Sequence, residues 1–279
     1  MVLHERGIMV KEYKSRIVDN LLKRKLKGIG AVLIEGPKLC GKTTTAEQFS
    51  KSILYVANPQ ERQQNLRMAD IDPSFLLQGE VPRLLDEWQI APMLWDAVRF
   101  EVDHRGASGQ FILTGSAVPI QKEKIFHTGT GRIARLKMRT MALYESGESN
   151  GSISLKKLFA GEKNLSGLNE LTLEEIAYLI CRGGWPTACL QRGNIALERA
   201  FDYYDAIVNE DITRADGVNR SSERTKLLMR SYARSQGSQT SIDAIRKDMI
   251  ANDTSSLDAK TVQSYIDALK KIFVIEDIP

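Results

Sequence analysis

The segment Gly36-Pro37-Lys38-Leu39-Cys40-Gly41-Lys42-Thr43 fits the pattern G-x-x-x-x-G-K-[ST] over its whole length. Residues of these types at this spacing make an anion cradle. Gly36 and Gly41 free the backbone to wrap a phosphate, because glycine enters the dihedrals of such a turn without steric cost. Loop amides and the start of the following helix then stabilise the anion. Lys42 is suited to neutralising the β- and γ-oxygens of a nucleoside triphosphate, and the Thr43 hydroxyl to binding Mg2+. The residues expected to contact nucleotide are therefore Gly36, Pro37, Lys38, Leu39, Cys40, Gly41, Lys42, Thr43 and Thr44. An apolar strand, Ala31-Val32-Leu33-Ile34-Glu35, precedes the loop, and a helix-forming stretch from Thr44 to Lys51 follows it. That context separates a phosphate loop (Walker A) from a chance match.

Leu84-Leu85-Asp86-Glu87 supplies the complementary acids of a Walker B strand. Asp86 would hold Mg2+ through water, and Glu87 would polarise the attacking water. Phe111-Ile112-Leu113-Thr114-Gly115-Ser116 is an apolar strand ending in hydroxyls. Ser116, with Thr114 in reserve, is the expected residue to orient the lytic water; the alternative is a strand-capping turn. Downstream, Thr130-Gly131-Arg132-Ile133-Ala134-Arg135 offers two arginines, either of which could be an arginine finger or a plain surface cation.

These side chains need a scaffold. Apolar runs at 31–35, 53–56, 83–85 and 110–114 alternate with helical stretches at 43–51, 59–69 and 90–104, behind an N-terminal helix over 11–27. Short apolar runs alternating with helices predict a parallel sheet covered on both faces. Ser146 to Ser154 is polar and glycine-rich, a plausible junction. Beyond it helical periodicity dominates, at 172–182, 195–213, 223–235, 240–251 and 258–271. The last three helices and the strand-like Ile272-Phe273-Val274-Ile275 suggest a winged helix-turn-helix. The expected domains are a P-loop core over 1–150, a helical segment over 151–213 and a winged-helix-like unit over 214–279.

Composition narrows the class. The chain has 279 residues, 42% hydrophobic and 27% charged, which excludes collagen-like, disulfide-scaffold and disordered-tail proteins. No run of about 18 apolar residues occurs, so no membrane span is expected. Met1 to Val10 carries His4, Glu5 and Arg6 where a secretory leader would be apolar. Three cysteines (Cys40, Cys181, Cys189) without metal-ligand spacing suit a reducing, cytoplasmic setting. Eight Lys/Arg against three Asp/Glu fall in residues 1–30, leaving the rest near neutral. The run Lys23-Arg24-Lys25 with Lys27 could meet nucleic acid or anionic lipid, or be a solvated helix face. The three histidines, His4, His104 and His127, are scattered and predict no metal site. Trp88 and Trp95, seven apart, read as core. Cys40, inside the loop, is expected to be alkylation-sensitive without being a nucleophile.

The loop, with Leu84-Leu85-Asp86-Glu87-Trp88-Gln89, Trp95-Asp96-Ala97-Val98-Arg99, Gln110-Phe111-Ile112-Leu113-Thr114-Gly115-Ser116-Ala117, Thr130-Gly131-Arg132 and Leu143-Tyr144-Glu145-Ser146-Gly147-Glu148-Ser149, closely resembles the predicted bacterial and archaeal AAA+ ATPases that carry a C-terminal domain of unknown function. The resemblance spans nearly the whole chain. It implies ATP binding and hydrolysis, an AAA+ core, a helical lid over 151–213 and a winged helix; Arg132 falls on the family's arginine after the glycine-rich turn. Gly183-Gly184-Trp185-Pro186 looks like the Gly-x-Pro element of the related signal-transduction ATPases with numerous domains. There the proline lies near adenine, which makes Pro186 a base contact; the alternative is a helix-ending turn. Family members continue beyond the winged helix into a nuclease-type region, whereas this sequence stops at Pro279, so no activity of that region is carried over.

The resulting expectation is an ATP- and Mg2+-dependent conformational switch with an unknown protein partner and a possible homo-oligomer. The alternative is a DNA-associated motor or loader. Residues 214–279 hold eleven Lys/Arg and nine Asp/Glu, a thin footprint for an element facing phosphates. A non-hydrolytic scaffold conflicts with intact Lys42, Thr43, Asp86 and Glu87. A GTPase conflicts with the lack of Asn-Lys-x-Asp.

Overall fold

In the computed structural model of the chain, which describes residues 13–116, 125–251 and 257–277, the apolar runs become five parallel strands. These are β1 (Ala31–Glu35), β2 (Ser52–Tyr55), β3 (Arg83–Asp86), β4 (Phe111–Gly115) and β5 (Ile133–Lys137), hydrogen-bonded in the order β2-β3-β4-β1-β5. Successive side chains of a strand face opposite sides of its sheet. Ala31 and Leu33 accordingly join Leu85, Phe111 and Leu113 in one core, while Val32, Ile34, Leu84 and Ile112 enter another. Helices α1 (Ile17–Gly28) and α2 (Lys42–Glu47) supply Leu22 and Ala46 to the second core. Helices α3 (Arg62–Ile71) and α4 (Met93–Arg105) cover the first with Ala69, Leu94 and Val98. Trp88 and Trp95 lie in that core with ring centroids 4.9 Å apart, Trp88 on a short 3-10 turn and Trp95 on α4.

Past β5 the described residues form helices and no strand. They are α5 (Leu143–Ser146), α6 (Leu155–Phe159), α7 (Leu173–Arg182), α8 (Pro186–Cys189), α9 (Asn194–Ala206), a π-helical turn (Ile207–Asp211), α10 (Ile212–Arg214), α11 (Ser222–Arg234), α12 (Ile242–Ile250) and α13 (Ala259–Lys271). The stretch expected as one helix over 195–213 is thus interrupted by a π turn. Ile207 and Ile212, at either side of that turn, pack with Leu228, Ile245, Val262, Ile266 and Leu269 in a third core. The π turn is therefore packed with the last three helices.

The strand expected over 272–275 is absent from the described residues. Helix α13 ends instead with Phe273 at a left-handed φ of 61° and the Val274 amide donating to the Leu269 carbonyl at 3.0 Å. This is the closing bond of a left-handed helix cap. Ile272, Val274 and Ile275 then cover the third core. An apolar run that can cap a helix and bury its side chains needs no strand partner, and periodicity alone does not distinguish the two outcomes. No described helix is long and apolar enough to cross a membrane.

Candidate active site

The parallel register of the sheet assembles the site. Asp86, last in β3, stands opposite Thr114 of β4, and Thr114 stands opposite Ile34 of β1, shortly before the phosphate loop. Asp86 Oδ1 accepts from Thr114 Oγ1 at 2.6 Å and from Thr43 Oγ1 at 2.7 Å. One carboxylate oxygen thereby ties the loop to the two central strands beside it. Thr114, the reserve choice, makes this contact; Ser116 lies buried just beyond β4.

The loop's two glycines serve different purposes. Gly41 has a φ of +99°, a left-handed position at the start of α2 that strains any side chain. Gly36 is not left-handed, so the dihedral argument does not apply to it. A Cβ there would stand 2.0 Å from the Met138 carbonyl oxygen, and the requirement is room. Lys42 is buried, and its Nζ donates to the carbonyls of Gly36 at 3.0 Å and Pro37 at 2.7 Å. Burial lowers its pKa; Cys40, Glu87 and Asp86 oppose that shift and the Lys38 charge adds to it.

Glu87 follows Asp86 with a left-handed φ of 58°, which turns its side chain away from the strand alternation. Burial raises its carboxyl pKa, countered by a hydrogen bond from Gln89 Nε2 and by the charges of Lys42 and Lys38. Gln89 did not stand out in the sequence, although it lies in the quoted run. Lys38 Nζ donates to Asp211 Oδ1 of the π turn at 2.5 Å. No local signal marks Asp211, which lies 173 residues from its partner in sequence.

Arg16 is a third residue the sequence did not reveal. Its guanidinium donates to the Cys40 carbonyl at 2.8 Å, the Arg139 carbonyl at 2.9 Å and Glu145 Oε1 at 3.0 Å. It thereby braces the loop against the segment after β5. Cys40 is wholly buried, its thiol donating to the Met138 carbonyl at 3.7 Å, and burial raises its pKa. A buried thiol held in its neutral form resists alkylation, which corrects the expected sensitivity.

Beside the loop a pocket of about 220 Å³ is lined by Tyr13, Gly41, Thr44, Met141, Pro186 and Leu190, among others. Pro186 opens α8, while Gly183, at φ +69°, caps α7. The motif ends a helix, and its proline lines this pocket. Gly184 approaches Met141 so closely that a Cβ would lie 2.2 Å from the Met141 carbonyl oxygen.

Arg132 is not brought to this site within the chain. The Arg132 carbonyl accepts from the Ala31 amide, at the start of β1, and its Nε pairs with Asp103 at 2.8 Å. At about 3.3 Å per residue, the length of β1 puts this roughly 13 Å from the loop. Arg135 pairs with Glu35 at 2.8 Å from an exposed position on β5.

Residues 29–146 match the family model described as an AAA domain, and residues 173–279 match one described as a domain of unknown function. Among solved structures, the Walker-type ATPase PABY2304 of Pyrococcus abyssi is similar at a TM-score of 0.54 and 14% identity, over 93% of this chain and 90% of that one. The AMPPCP-bound DnaA from Aquifex aeolicus aligns over 95% of this chain and 90% of its own at 14% identity, with a TM-score of 0.35. The first likeness shows a shared fold, and the second score is too low to add to it. No match was found among curated proteins.

Proposed function

We propose that the chain, whose residues 29–146 match the AAA-domain model and whose residues 173–279 match that of a domain of unknown function, binds ATP with Mg2+, hydrolyses it, and uses the cycle to move its helical region. The observation that carries this reading is the Asp86 carboxylate held at 2.7 Å by the Thr43 hydroxyl, beside a buried Lys42. A hydroxyl and a carboxylate are hard oxygen donors, and Mg2+ takes one or two such groups together with waters and phosphate oxygens. Thr43 and Asp86 would hold the ion; among the described residues no cluster of three His, Cys, Asp or Glu offers a cage elsewhere. Bound there, Mg2+ would offset charge on the phosphate oxygens.

In the proposed reaction Lys42 leaves its loop carbonyls for the β- and γ-oxygens. Glu87 takes the proton of a water whose oxygen bonds to the γ-phosphorus. The bond from that phosphorus to the bridging oxygen breaks, and ADP and phosphate leave. Thr114 orients this centre through Asp86, with Ser116 adjacent. The pocket at Pro186 accepts the base, flanked by Tyr13 and Met141. The division 1–150, 151–213 and 214–279 is read as core, lid and winged-helix-like unit, with Asp211 of the π turn joining lid to loop.

The switch reading is favoured over the DNA-associated one by the state of α13. Its basic end is already occupied, Lys270 by Asp277 at 2.6 Å and Lys271 by Asp216 at 2.9 Å. Cations so engaged release few counterions to phosphates. Arg132 is assigned a role only between copies of the chain. The free cysteines support a reducing, cytoplasmic setting.

Mg-ATP turnover against protein concentration, with and without double-stranded DNA and with Glu87→Gln as blank, tests this reading. Slow turnover indifferent to DNA and lost in Glu87→Gln is expected. A chain that binds no ATP refutes the function, and DNA-stimulated turnover refutes the preference for the switch.

A further inference from the structure

Lys38 occupies the third position of the phosphate loop, and nothing in the loop's own architecture needs its side chain. Its ammonium is about half exposed, so water could satisfy it alone. Asp211 is different: its side chain is 8% exposed, and Lys38 Nζ at 2.5 Å is its cation. A buried carboxylate requires such a partner far more than a half-exposed ammonium does. The pair therefore exists for Asp211, and Asp211 belongs to the π turn whose flanking Ile207 and Ile212 are anchored in the C-terminal core. Single π turns inside helices recur at functional sites. One loop cation thus links the phosphate site to the helical unit.

The same cation lies in the loop that presents Lys42, whose Nζ donates to the Gly36 and Pro37 carbonyls just before Lys38, and Thr43, which donates to Asp86 at 2.7 Å. The arginines proposed from sequence are already paired, Arg132 with Asp103 and Arg135 with Glu35.

We propose that Lys38 is the cation that engages the γ-phosphate, and that Asp211 is a positioning residue that holds it aside until ATP arrives. This rests on the ATP reading above. The γ-phosphate competes with Asp211 for one ammonium. When it wins, Asp211 is left buried without a cation and close to added negative charge, which drives the π turn and the helices packed on it away from the loop. ADP lacks the competing group and leaves the pair intact. The helical unit thereby distinguishes ATP from ADP through a single contact, and Lys38 supplies from within the chain a charge that Arg132 could supply only from another copy.

The test is calorimetric ATP and ADP affinity, with turnover, for the full chain and for Asp211→Asn, Lys38→Gln, Asp211→Glu and the double variant. Asp211→Asn, which removes the competitor while keeping shape, is expected to raise ATP affinity about fivefold or more with little change for ADP, the lower end of usual coupling between sites. Asp211→Glu should restore the parental ratio. Lys38→Gln should narrow the ATP-to-ADP ratio and slow turnover, and adding Asp211→Asn to it should change the ratio no further. A purely structural pair would alter melting temperature but not that ratio. An unchanged ratio in Asp211→Asn, or an equal shift with and without Lys38, overturns the proposal. Should Asp211→Asn fold poorly, an unchanged ratio in Lys38→Gln overturns it from the exposed partner. If the parent binds ATP and Lys42→Ala does not, while these ratios stay fixed, this inference alone falls; if the parent binds none, the ATP reading falls with it.

Discussion

Replacing Arg16 by methionine tests how the phosphate loop is held. Arg16 and Glu145 form an ion pair at 3.0 Å with side chains 5% and 6% exposed. Removing one partner of a buried pair leaves the other charge uncompensated, at a cost of about 3–5 kcal/mol. Glu145 keeps two backbone donors, Ile17 N at 2.6 Å and Ala142 N at 2.7 Å, so the lower end, about 3 kcal/mol, is expected. For a protein of this size that is a fall in Tm of roughly 6–12 °C. The pH dependence gives an independent check. Burial pushes the Glu145 carboxyl up, but the amides of Ala142 and Ile17 and the Arg16 guanidinium more than reverse this, leaving its pKa below the ordinary value. A depressed carboxyl pKa contributes stability that is present above the unfolded value, about 4.3, and lost as pH falls through the folded value. The gap between parent and Arg16→Met should therefore be widest near neutrality and shrink below about pH 4. Urea melts at pH 7, 5 and 3.5 read both quantities. A loss under about 1 kcal/mol at neutrality, or a gap flat with pH, refutes the argument.

Three further outcomes are expected. Lys42→Ala should abolish measurable ATP affinity by calorimetry while the far-UV spectrum is retained; unchanged affinity removes the phosphate-loop assignment. Gly36→Ala, whose Cβ would meet the Met138 carbonyl oxygen at 2.0 Å, should destabilise the fold by about 1–3 kcal/mol, as overpacking does, and weaken ATP binding; a neutral melt would show that the loop moves aside freely. Arg132→Ala should lower turnover per protomer only at concentrations where turnover rises with protein. A flat concentration dependence in the parent, with no effect of the substitution, excludes Arg132 as a finger between copies.

Much of the site was legible because it is local. The phosphate loop declares itself in eight consecutive residues, and an uninterrupted apolar run before it requires a buried strand. Asp86 and Glu87 could be read from their place at the end of the next such run but one. What escaped were contacts between distant segments. Gln89 carries no pattern, yet the left-handed turn at Glu87 brings its amide to that carboxylate. The sequence put Ser116 first and Thr114 in reserve; that Thr114 meets Asp86 follows from the register of β3 against β4, which no string of hydroxyl residues displays. The strand expected at 272–275 illustrates the converse, since side chains that suit a strand also suit a helix cap buried on a core.

Sequence by itself determined the types and spacing of the loop residues and its acids, the alternation that makes a two-faced parallel sheet, and the succession of helices past β5, though not how the last of them ends. These follow from spacing along a chain whose local geometry has two side-chain periods. Tertiary structure alone decided which groups meet: Arg16 with Glu145, Thr114 with Asp86, Lys38 with Asp211, and Arg132 at the far end of the sheet. Those pairings depend on strand order and on how a late helical unit packs against an early loop. Their partners lie between 28 and 173 residues apart, a separation over which local spacing has no bearing.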